Sequence, residues 1–146
     1  MGGKMAHRIT SFKLTWYDCG LCCADDVVQE RIVVSRNKKA MVFKRLNGYG
    51  ETVSTEEIQI DKPMVEEFFT FLDNSDSSWA TDYSVEVCDG SAWEVMLRYN
   101  SHKTRKIQGT IEYPPCGPEI EKFIISFIEQ AQSMSAPIMF GCAEID

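Results

Sequence analysis

From Tyr83 onward, apolar and polar residues alternate with a period of two. Tyr83, Val85 and Val87 interleave with Ser84, Glu86 and Cys88, the pattern of a half-buried strand. Asp89-Gly90 supplies the positive-φ dipeptide of a tight hairpin. Trp93, Val95, Leu97 and Tyr99 then alternate with Glu94, Met96 and Arg98, which predicts a second strand with one apolar face. After the polar turn Asn100-Ser101-His102-Lys103, Ile107, Gly109, Ile111 and Tyr113 define a third strand, stopped by Pro114-Pro115 because proline cannot donate to a ladder. The period then changes to 3.6: Ile120, Phe123, Ile124, Phe127, Ile128 and Ala131 fall on one helical stripe. Pro118 suits the first turn, where its missing N–H has no partner to lose, and Glu119 and Glu121 favour the positive end of the helix dipole.

The first half follows the same order. Phe12, Leu14 and Trp16 alternate with Lys13, Thr15 and Tyr17. A Cys- and Asp-rich loop precedes the β-branched run from Val27 to Ser35, and Ala40 to Leu46 forms the next strand. Asn47-Gly48-Tyr49-Gly50 reads as a turn, Thr52 to Ile60 as a further strand. Pro63 opens a helix with Met64, Val65, Phe68, Phe69 and Leu72 on one face.

Landmarks recur in one order across the halves. Leu14–Asp18 corresponds to Val85–Asp89, Val34–Arg36 to Met96–Arg98, Asn47-Gly48 to Gln108-Gly109, and Pro63–Phe69 to Pro118–Ile124. The expectation is an α+β fold: a mainly antiparallel sheet from two β-β-β-α repeats, with two amphipathic helices packed on one face. The chain reads as one domain over 1–146, with pseudo-repeats at about 8–74 and 82–134 and a tail or edge strand at 135–146. Two small sheets sandwiching the helices is the alternative arrangement.

Composition narrows the class. The 146 residues are 44% hydrophobic and 25% charged, ordinary values for a folded domain. Fifteen cations against 22 carboxylates give a net charge of −7, which argues against a protein that coats nucleic acid or an anionic membrane. The residues after Met1 carry no secretory apolar run, and no stretch is long enough to span a bilayer. The chain is therefore expected to be soluble and cytoplasmic, with its six cysteines mostly reduced.

Cys19, Cys22 and Cys23 form a C-x-x-C with a third thiol, a spacing that can grip zinc or form a redox pair. No second C-x-x-C or H-x₃₋₅-H completes a four-ligand set, and Cys88, Cys116 and His102 have no diagnostic spacing. No nucleophile elbow, phosphate loop or dinucleotide fingerprint is present. The cations cluster instead. Arg36, Lys38, Lys39, Lys44 and Arg45 fall on one hairpin, and Arg98, Lys103, Arg105 and Lys106 on its counterpart. Two basic ridges on an acidic body suit an acidic protein or an anionic ligand; lysines that blunt exposed strand edges would look the same. Tyr49 and Trp79, in polar loops, are the aromatic residues outside the core pattern. The functional expectation is a small non-enzymatic binding or protein-interaction protein, with a homo-oligomer compatible with the pattern. The alternative is a cysteine-dependent metal-binding or redox protein using Cys19, Cys22 and Cys23.

Overall fold

Strand alternation in this chain resolves into one sheet rather than two small ones. The computed structural model describes residues 8–18, 27–83, 91–110, 114, 116–131 and 139. Seven strands, β1 (Ile9–Asp18), β2 (Val27–Ser35), β3 (Ala40–Asn47), β4 (Thr52–Gln59), β5 (Asp82–Tyr83), β6 (Ser91–Tyr99) and β7 (Thr104–Gly109), are joined by helices α1 (Lys62–Ser75) and α2 (Gly117–Ala131). The sheet order is β4-β3-β2-β1-β6-β7-β5, antiparallel except where β5 lies parallel to β7. Among the described residues the halves differ in strand number. Four strands precede α1, and in the second half β5 pairs with β7 rather than β6. Of the strand expected from Tyr83 to Cys88, positions 84–88 lie outside the described residues, as do 111–113 of the strand expected to reach Tyr113.

Register explains the core. Phe12 stands between Val34 and Leu97, and Leu14 between Ile32 and Val95. Val34 and Ile32 face Met41 and Phe43 on β3, and Val95 faces Ile107 on β7. All of these side chains are buried, so a period of two in each strand becomes one continuous apolar surface. The helices bring Val65, Phe68, Phe69, Leu72, Ile120, Ile124, Phe127 and Ile128 into the same cluster. Phe68 is its hinge point. Its ring meets Phe12 edge-on at 5.4 Å, and Phe123 and Phe127 of α2 at 5.4 and 5.5 Å. Trp79, expected in a polar loop, is 4% exposed and donates its indole N–H to the Cys116 sulfur at 2.8 Å. Met139, just beyond α2, is also buried in this core.

Both long hairpins turn at the same end of the sheet, on either side of β1. The Arg36 N–H donates to the Thr10 carbonyl at 3.0 Å, and the Asn100 N–H to the Arg8 carbonyl at 2.8 Å. Each turn uses one residue with a left-handed backbone, Lys39 (φ 52°) and His102 (φ 70°). At the far edge, Asn47 closes the β3–β4 turn: its side-chain oxygen accepts the N–H groups of Tyr49 and Glu51.

Candidate functional site

The basic hairpins predicted from sequence divide into two kinds of residue once the backbone is in place. Arg36 is 7% exposed and its guanidinium is committed to the fold. It donates to Glu66 at 3.0 Å, Asp73 at 3.1 Å and the Ile9 carbonyl at 3.0 Å. Asp73 in turn accepts the Ile9 N–H at 2.7 Å, so this cluster ties α1 to the start of β1. Arg105 likewise donates to the carbonyls of Asp76 and Trp79. Arg45 bridges to Glu30 at 3.2 Å and lies over the Phe43 ring. Arg45 and Arg105 sit at inward-facing register positions and Arg36 in the turn just beyond β2, and burial of each demands hydrogen-bond partners. Lys38, Arg98 and Lys103 are exposed, Lys39 partly so, and Lys106 pairs with Glu94 at 3.1 Å.

A different set of cations meets on the outward side of the sheet. Lys13, Arg31 and Lys44 line a groove of about 320 Å³ whose floor is Val33 and Val42. Register places Lys13 beside Val33 and Val33 beside Val42; one pleat further on, Thr15, Arg31 and Lys44 stand in a row. Arg31 and Lys44 are therefore cross-strand neighbours of like charge, an arrangement that costs stability. Among the described residues no carboxylate lies within ion-pair distance of Lys13, Arg31 or Lys44; Arg31 is steadied by Gln29, which accepts from its Nε at 2.9 Å. Three converging cations with no ion-pair partner among the described residues stand out from a solvated surface. Tyr17, two positions along β1, has its phenol pushed above the ordinary value by burial and then by Glu94, so it stays neutral near pH 7.

Sequence reasoning named Lys44 among the hairpin cations and passed over Lys13 and Arg31. The signal was present: residues 13, 31 and 44 all fall at the polar positions of their strands. Which strands adjoin was not. Other concavities have weaker chemistry. The groove between α1 and α2, about 390 Å³, mixes Met64, Phe123 and Phe127 with Glu67, Glu119 and Lys122, whose charges oppose one another.

The cysteine loop with Cys19, Cys22 and Cys23 lies outside the described residues, as does Cys88. Cys116 is half-buried, and burial pushes its thiol up to about 11, partly offset by the Trp79 N–H. That thiol is a poor nucleophile. His102 is exposed at the tip of the β6–β7 turn, where its backbone N–H closes onto Tyr99. No helix among the described residues is long and apolar enough to cross a membrane. No family model matches the chain, and no curated protein or solved structure matches it either.

Proposed function

We propose that this protein is a non-enzymatic binding module that holds an acidic segment of a partner protein on the outer face of its sheet. The observation that carries the reading is the opposition of Arg31 and Lys44, with Lys13 on the diagonal and, among the described residues, no carboxylate within ion-pair distance of them. A fold keeps a repulsive cross-strand pair when a bound anion repays the repulsion. The valine floor adds apolar contact, so the segment that fits alternates carboxylate and aliphatic side chains, as an extended chain does. A polynucleotide fits less well. The three tryptophans lie at inward positions or off the sheet, so among the described residues the outer face offers Tyr17 where single strands use a series of stacking aromatics. The exposed cations at the hairpin end, Lys38, Arg98 and Lys103, extend the field that steers such a partner.

The test is fluorescence anisotropy with a labelled peptide of alternating Glu and Val, titrated with the intact chain at about 50 and about 300 mM salt. Binding that weakens with salt and falls about ten-fold or more in Lys13→Glu/Arg31→Glu/Lys44→Glu supports the reading. Equal affinity for the reversed-charge variant would overturn it. Tighter capture of a single-stranded oligonucleotide than of the peptide would replace the protein partner by a nucleic acid.

A further inference from the structure

The sheet ends at β4, and the character of that edge points to a second docking surface. Among the described residues no strand pairs with β4 on its far side. An unpaired strand offers a row of backbone N–H and C=O groups, and proteins commonly guard such edges with lysine, proline or a covering element. β4 has no lysine or proline in Thr-Val-Ser-Thr-Glu-Glu-Ile-Gln; what guards it is negative charge, at Glu56 and Glu57, and a bulge at Val53. Its end is tied to α2, where the Gln130 side chain donates to the Gln59 carbonyl at 3.2 Å and accepts the Asp61 N–H at 3.2 Å. The large hydrophobic side chains exposed in the described residues, Tyr49 at 68% and Val53 at 54%, both lie at the start of this edge. Its charge is one-sided: Glu51, Glu56, Glu57 and Asp61 are acidic, and no cation occurs from Gly48 to Asp61.

We infer that β4 accepts an extended cationic segment of a partner protein as an added eighth strand, with main-chain hydrogen bonds giving affinity and the side chains giving register. Charge decides the occupant. A second copy of this chain would bring the same four carboxylates to the edge, whereas a cationic strand neutralises them. Thr55 and Glu57 point outward and Ser54 and Glu56 inward, as the pairing of Val42 with Glu57 and Phe43 with Glu56 requires, and Val53, exposed, lies where the register with β3 shifts. An antiparallel partner strand then reads, in its own direction, two consecutive cations opposite Glu57 and Glu56, two small residues, and an aliphatic residue opposite Val53. The edge adjoins the cationic groove at Lys44, which stands opposite Thr55, while Lys13 lies three places along the sheet from β4.

The experiment uses the intact chain and a labelled peptide containing Lys-Arg-Thr-Thr-Val between short Gly-Ser flanks. Binding should fall at least about ten-fold in Glu56→Lys/Glu57→Lys and in Val53→Lys, which installs an edge guard at an exposed position. A peptide with Glu-Glu in place of Lys-Arg should bind the Glu56→Lys/Glu57→Lys variant and not the parent. Lys13→Glu, on β1 and three places along the sheet from β4, should leave the cationic peptide's affinity within about two-fold. Binding indifferent to both β4 variants overturns the inference, and so does an equal loss caused by Lys13→Glu. Sedimentation equilibrium supplies the remaining outcome: a dimer of the parent chain abolished by Val53→Lys would assign the edge to a second copy and overturn the cationic partner.

Discussion

Arg31 on β2 and Lys44 on β3 stand directly opposite one another on the outer face of the sheet. A like-charge cross-strand pair is destabilising, so its retention identifies a place where stability and binding pull in different directions. Lys44→Glu should stabilise the fold by about 0.2–1 kcal/mol at low salt. The same variant should weaken the acidic peptide. Urea denaturation at low and high salt, run beside the anisotropy titration, checks both effects. A Lys44→Glu protein that is neither more stable nor weaker in binding would remove the basis of the proposed site.

Arg36 makes the opposite prediction, because its partners belong to the fold. Arg36→Ala removes hydrogen bonds to two carboxylates and the Ile9 carbonyl, and should cost about 2 kcal/mol or more. Peptide binding to the outer face should survive under conditions where the variant stays folded. Chemical denaturation gives the first number and anisotropy the second.

The same cluster sets a pH dependence. The Arg36 guanidinium hydrogen bonded to Glu66 holds its carboxyl below the ordinary 4.5, against a smaller opposing effect of burial. A depressed folded-state value means the unfolded chain binds more protons in that range, so this contribution is complete at neutral pH and lost as pH falls through the folded value. The stability difference between the parent and Glu66→Gln should be constant above about pH 5.5 and shrink with acidification below about pH 4.5. Arg36→Ala should flatten that difference. Denaturant midpoints measured across pH 3 to 7, by about half-unit steps, decide it.

Gly109 is required by contact with Trp93. A Cβ at Gly109 would lie 2.6 Å from the indole ring of its cross-strand neighbour, closer than side-chain carbons approach. Gly109→Ala should cost roughly 1–3 kcal/mol through overpacking and shift the tryptophan emission as Trp93 is displaced. Thermal melts and fluorescence spectra report the two effects independently.

Cys116 should resist alkylation. With its thiol pushed up to about 11, roughly one molecule in a thousand is thiolate at pH 8, and the thiolate is the reactive form. Peptide mapping after iodoacetamide treatment should show Cys116 modified far more slowly in the folded chain than in urea. Trp79→Phe should change the rate less than unfolding does, since burial is the larger cause of the shift.

Much of the fold was legible in the residues themselves. The strand through Trp93, Val95, Leu97 and Tyr99 and the buried helix stripes through Phe68 and Phe127 follow from periodicity, because a side chain's place in a period of 2 or 3.6 fixes the direction in which it points. Cation density on the hairpins was visible too. What those cations do was not, since Arg36 and Lys38 are two residues apart, yet one is locked against α1 and the other meets solvent.

By itself, then, the sequence determined which residues face inward and which outward on β1, β6 and β7, where the helices begin, and how strongly acidic the body is. Only the tertiary structure decided the neighbours. Alternation is a property of one strand and carries no record of which strand lies beside it, whereas pairing depends on contacts between segments far apart in the chain. The order β4-β3-β2-β1-β6-β7-β5 set Lys13 near Arg31, put Arg31 against Lys44, and left the acidic β4 at the rim.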